Sequence, residues 1–107
     1  MSNTEPDNEV LVVVEVVTII NADEMKRYQE AARAQIGAFG GFVIARGGDP
    51  VEGTPAFGTV LVQKWPSRQA FFAWQSSAEY RPLLDCRKHC AELRIAIVPF
   101  LGIDGIA

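Results

Sequence analysis

Glu15, Arg46, Gln63, Lys64 and Arg94 interrupt runs that are otherwise apolar, so they are the residues with which this chain could do chemistry inside a fold. A carboxylate, guanidinium groups and an amide held together could orient an anionic or carbonyl-bearing molecule and move a proton. Strand alternation decides which of them meet. If Val12, Val14 and Val16 turn toward helices, Glu15 points the other way. Leu93, Ile95 and Ile97 do the same for Arg94, and Val43 and Ala45 for Arg46. Gln63 joins them by parity. The charged cluster then lies on the face turned away from the helices, where Glu15 pairs with Arg46 or Arg94 because buried charges need partners. Two roles compete. One is an ion-pair network that sets the register of a dimer. The other is a ligand site in a cleft between sheet and helices, with Arg46 holding an anion and Glu15 acting as base.

Further candidates lie in the second half of the chain. His89, the sole histidine, is a second proton carrier; Arg87 is another anion ligand; Trp74 and Tyr80 could form an apolar wall. Cys86-Arg-Lys-His89-Cys90 has i, i+3 and i+4 spacing on a helix, which suits zinc, but the sequence offers no fourth ligand. Cys86 and Cys90 therefore read as free thiols, and neither a metal nor a cofactor is expected. Gly37-Ala-Phe-Gly40-Gly41 has the wrong spacing for a phosphate loop and closes a helix instead of opening one. No Ser-His-Asp set can be assembled.

The elements that position these residues follow from pattern. Residues 1–8 are polar and contain Pro6, which predicts a flexible arm before a domain spanning 9–100 and a tail of 101–107. Val10 to Ile20 barely alternates and predicts a strand apolar on both faces. Asn21 caps a helix whose stripe is Met25, Tyr28, Ala32, Ile36 and Phe39, ended by Gly40 and Gly41. Strands over about 42–46 and 57–65 flank a turn-rich loop. Ser67 then caps a helix with Phe71, Phe72 and Trp74, Ser76 or Ser77 caps another reaching about Ala91, and a last strand covers about 93–100. The order βαββ(αα)β predicts a ferredoxin-like α+β fold, a four-stranded antiparallel sheet with helices on one face.

With 107 residues and 49% hydrophobic content, one core is available. The opposite sheet face is bare. Leaving about five apolar side chains wet there, at roughly 1.5–3 kcal/mol each, would approach the net stability of such a domain. A second copy is the expected cover, giving a homodimer through the sheet face. The net charge of −3 argues against nucleic acid and anionic membrane surfaces, and no apolar run is long enough to span a bilayer. The expected location is the cytoplasm.

Phe39-Gly-Gly-Phe-Val-Ile-Ala-Arg-Gly-Gly48, Trp65-Pro-Ser67, Trp74, Ser77-Ala-Glu-Tyr80 and Arg87 together resemble the bacterial domain of unknown function 1330, within the dimeric α+β barrel superfamily. The resemblance covers about Val12 to Phe100. It implies a ferredoxin-like protomer whose sheet packs on its twin's sheet, and no established activity. Related families include cofactor-free monooxygenases, muconolactone-type isomerases and haem-dependent enzymes. One departure stands out: where the family's third strand commonly ends in an acidic residue followed by Phe-Pro-Ser, this chain has Lys64-Trp65-Pro66-Ser67. A role for that carboxylate would not carry over. The leading expectation is a small homodimer that binds a small, partly apolar organic molecule between sheet and helices. A cofactor-independent monooxygenase or isomerase acting on aromatic or lactone-type compounds and a ligand-free structural dimer are the alternatives.

Overall fold

A computed structural model describes residues 8–102. Its elements are β1 (Val10–Ile19), α1 (Ala22–Ala38), β2 (Phe42–Gly47), β3 (Thr59–Trp65), α2 (Arg68–Gln75), α3 (Arg81–Cys90) and β4 (Ala91–Pro99). The four strands form one antiparallel sheet in the order β2-β3-β1-β4, and the helices cover one face. This is the expected ferredoxin-like α+β fold. The arm predicted for residues 1–8 and the tail predicted for 101–107 fall mostly outside the described residues.

Local chemistry explains most boundaries. The Asn21 side chain accepts from the Glu24 amide at 3.0 Å and Ser67 Oγ from the Ala70 amide at 3.0 Å, so both expected caps serve orphan donors of a first turn. Ser77 acts one step earlier than expected. Its Oγ accepts from the Tyr80 amide at 3.1 Å and donates to the Trp74 carbonyl at 2.7 Å, closing the turn that delivers Tyr80 to the start of α3. After α1, Gly40 takes φ of 94°, and Gly41 lies so close to the Trp65 ring that an added Cβ would stand 2.7 Å from Trp65 Cε2.

The core lies between helices and sheet. Val10, Val12 and Val14 of β1 meet Ala32 and Ile36 of α1 and an aromatic group of Trp65, Phe71, Trp74 and Tyr80. Trp65 and Trp74 stack with ring centroids 5.6 Å apart, and Phe71 meets Trp65 edge-on at 5.6 Å. Gln35 clips α1 to the α2–α3 turn: its Oε1 accepts from Trp74 Nε1 and its Nε2 donates to the Glu79 carbonyl, both at 3.0 Å.

The other sheet face carries Leu11, Val13, Val60, Val62, Ala45, Ala96 and Val98, as the cross-strand register dictates. Phe42 on the same face is 67% exposed and Val98 43%. No helix covers these residues.

Candidate ligand cleft

Register assembles the site. Arg46, Leu61, Val14 and Ile95 are successive partners across β2, β3, β1 and β4, so they form one row on the helix-covered face. Val43, Gln63, Val12 and Ile97 form the row beside it, and Thr59, Val16 and Leu93 the row on the other side. Above this floor lie Tyr28, Gln29, Ala32 and Arg33 from α1, Phe71 and Trp74 from α2, and Arg87 from α3. Together they enclose a cleft of about 90 Å³.

Arg46 therefore reaches the cleft, contrary to the placement expected from simple alternation. A register shift between Val43 and Ala45 inserts one residue into β2. Val43 still faces the helices, but Ala45 turns away and Arg46 turns in. Gln63 is also on the helix side, not with the outer charges; it shares the parity of Trp65, whose burial draws it inward. The outer cluster keeps Glu15 and Arg94, and Lys64 lies on the same face. Lys64 Nζ lies 3.3 Å from Glu9 Oε2 and 4.9 Å from the centre of the Phe100 ring.

Glu15 is thus separated by the sheet from Arg46. Its carboxylate accepts from the Gly58 amide at 2.8 Å and from Arg94 Nε at 2.8 Å, with Arg94 Nη2 at 2.6 Å. The Gly58 bond first, then Arg94, holds its carboxyl below the usual range. A carboxylate with a lowered folded-state pKa stabilises the fold above its unfolded pKa, and that stabilisation disappears as pH falls through the lowered value. Melting temperature measured from about pH 6 down to about pH 2 should therefore fall less steeply at the acid end in Glu15→Gln than in the parent. Parallel profiles would mean the carboxylate contributes nothing to acid stability.

His89 also lies away from the cleft, exposed on α3, with Nδ1 2.8 Å from the Asp85 carbonyl oxygen. Cys86 Sγ points to the Glu24 carbonyl at 3.8 Å and Cys90 Sγ to Met25 Sδ at 3.7 Å, so these side chains do not converge with the imidazole. Among the described residues no group of three metal-ligating side chains forms. Arg87 and Trp74 line the cleft, and Tyr80 stands behind them. Arg87 Nη1 donates to the Tyr80 hydroxyl at 3.0 Å, and that hydroxyl lies 2.9 Å from the Tyr28 hydroxyl. Burial first, then neighbouring Tyr80, pushes the Tyr28 phenol well above its ordinary pKa.

Two cleft residues, Arg33 and Tyr28, are not singled out as site candidates by the sequence, and Gln63 is expected on the opposite face. Arg33 sits on the flank of α1, off its apolar stripe. Tyr28 was assigned to packing only. Gln63 is 4% exposed, and its Oε1 accepts from Trp65 Nε1 at 2.8 Å; its place two residues before a tryptophan was the available signal. Arg33, Arg46 and Arg87 all line the cleft without an ion-pair partner among the described residues, and no carboxylate lines it. The site is a cationic, apolar-floored cleft in an acidic chain.

The family model described as "Domain of unknown function (DUF1330)" matches residues 9–101. The chain belongs to this family. No curated protein matches the sequence. Among solved structures, a protein of unknown function from Rhodopseudomonas palustris superposes with a TM-score of 0.76 at 16% identity, covering 90% of this chain and 85% of that one. SnoaB, a cofactor-independent oxygenase from Streptomyces nogalater, superposes with a TM-score of 0.65 at 12% identity, covering 87% and 93%. A dabb family protein with a ferredoxin-like fold from Mesorhizobium loti gives 0.61 at 11%, covering 88% and 98%. At these identities the likeness is one of fold. Among the described residues no helix is long and apolar enough to cross a membrane.

Proposed function

We propose that this DUF1330 protein is a homodimer that binds a small, partly apolar organic anion in the cleft between sheet and helices. The observation that carries the proposal is the set of three arginines that have no carboxylate partner among the described residues, around an apolar floor that no carboxylate lines. Guanidinium groups without a carboxylate partner favour a ligand that brings its own carboxylate, and the hydrophobic floor favours a flat or aliphatic body. The uncovered apolar sheet face supports the dimer, because pairing two such faces removes both from water.

An oxygenase or isomerase reading draws on the likeness to SnoaB. Such chemistry without a cofactor needs a group that can take a proton near the reacting carbon. The cleft is lined by guanidinium, amide, hydroxyl and apolar groups, with neither carboxylate nor imidazole. Its half-buried tyrosine, Tyr28, is pushed away from ionising. Binding without turnover is therefore the function the site supports best.

Benzoate serves as the probe, followed by chemical-shift titration. Arg46→Ala is expected to weaken benzoate binding about tenfold, the usual scale for one charge-assisted hydrogen bond. Arg46→Lys should lose less. Equal affinity in wild type and Arg46→Ala would remove Arg46 from the site, and equal affinity for uncharged benzyl alcohol would overturn the anion reading.

A further inference from the structure

We infer that Gln63 is the specificity-determining residue of this cleft, and that the ligand is a flat carboxylate bearing a second oxygen acceptor about one aromatic ring away from the first. This rests on the cleft being the anion site proposed above. Gln63 is 4% exposed and lines the cleft. The Trp65 indole can only donate, so its 2.8 Å bond must end on the Gln63 carbonyl oxygen. That contact fixes the amide and leaves Nε2 with two hydrogens to place. Among the described residues no acceptor is found for them, so there the buried donor pair has no protein partner.

The spacing sets the ligand's shape. Arg46 pairs across the sheet with Leu61, and Gln63 is two residues further along the same face of β3. One strand spacing of about 4.8 Å and a two-residue step of about 6.7 Å place the two α-carbons roughly 8 Å apart. Arg46 is exposed at the mouth and Gln63 is buried inside, with Val43 and Leu61 between them and the Phe71 and Trp74 rings alongside. A carboxylate on Arg46 and a carbonyl oxygen on Gln63 Nε2 can thus belong to one ring substituted at opposite ends. The 90 Å³ interior has room for roughly half a dozen waters, the scale of a single ring.

The test compares 4-acetylbenzoate with 4-isopropylbenzoate, which has nearly the same shape but no acceptor, by titration calorimetry on the full chain. In the wild type the acetyl compound should bind about tenfold more tightly, the usual scale for a hydrogen bond to an otherwise unpaired buried donor. Gln63→Leu should bring the ratio near one while both anions still bind. Arg46→Ala should weaken both and keep the ratio. Should Gln63→Leu fail to fold, the wild-type ratio and its persistence in Arg46→Ala decide alone. Equal wild-type affinities overturn the role of Gln63 and leave the arginine cleft standing, as does a preference that survives in folded Gln63→Leu. If neither compound binds, the anion cleft falls and the role of Gln63 falls with it.

Discussion

Val62→Asp should convert the proposed dimer to a folded single copy in sedimentation velocity at micromolar concentration. Val62 sits near the middle of the open face, on one of the two central strands, opposite Val13 of β1. If two such faces pack together, the substitution puts a carboxylate at each symmetry-related position with no partner. Desolvating an unpaired charge costs several kcal/mol per ion, enough to outweigh the apolar contacts of one subunit interface. Within the isolated protomer, Val62 is only partly buried and no helix covers it, so circular dichroism should report a folded chain. A dimer that persists in Val62→Asp would place the interface elsewhere or leave the sheet face bare.

Trp65→Ala should cost about 3–5 kcal/mol of unfolding free energy, a large part of the ~5–15 kcal/mol typical of a domain this size. The Trp65 ring is fully buried, packed on Trp74 and Phe71 and against the α-carbon of Gly41, so its removal leaves a cavity on several sides. It also leaves the Gln63 carbonyl oxygen without its donor. Trp65→Phe keeps much of the packing but not the N–H, and should fall between wild type and alanine. Denaturant titration reads the series through a falling midpoint at constant slope. A loss below about 1.5 kcal/mol in Trp65→Ala would mean that the surrounding rings close the gap, and that this aromatic group is not what holds the helices to the sheet.

The same tryptophan shows how far sequence could reach into the site. Strand and helix existence, their order and the two side-chain caps at Asn21 and Ser67 were legible because each depends on neighbours in the chain: periodicity, a capping oxygen, a glycine stop. Arg87 and Trp74 were legible as cleft residues. For Arg46, the candidate anion ligand, unbroken alternation points to the open face, whereas β2 carries one extra residue near Ile44 that turns it into the cleft. A single inserted residue reverses every side chain beyond it. Of the two partners the sequence leaves open for Glu15, Arg46 or Arg94, the structure gives Arg94, and that pair lies on the outer face beside the Gly58 amide instead of in the cleft.

What the chain determined by itself is the topology and the apolar character of both faces of β1, since apolar runs, breakers and caps act over a few residues and survive any arrangement of the rest. Only the tertiary structure decided which polar groups share a compartment. That choice depends on strand register, on the bulge in β2 and on the Trp65 indole holding the Gln63 amide, and these are settled by contacts between residues far apart in sequence. The sheet is a partition between two compartments, so a shift of one position moves a charge from its open face to the helix-covered cleft.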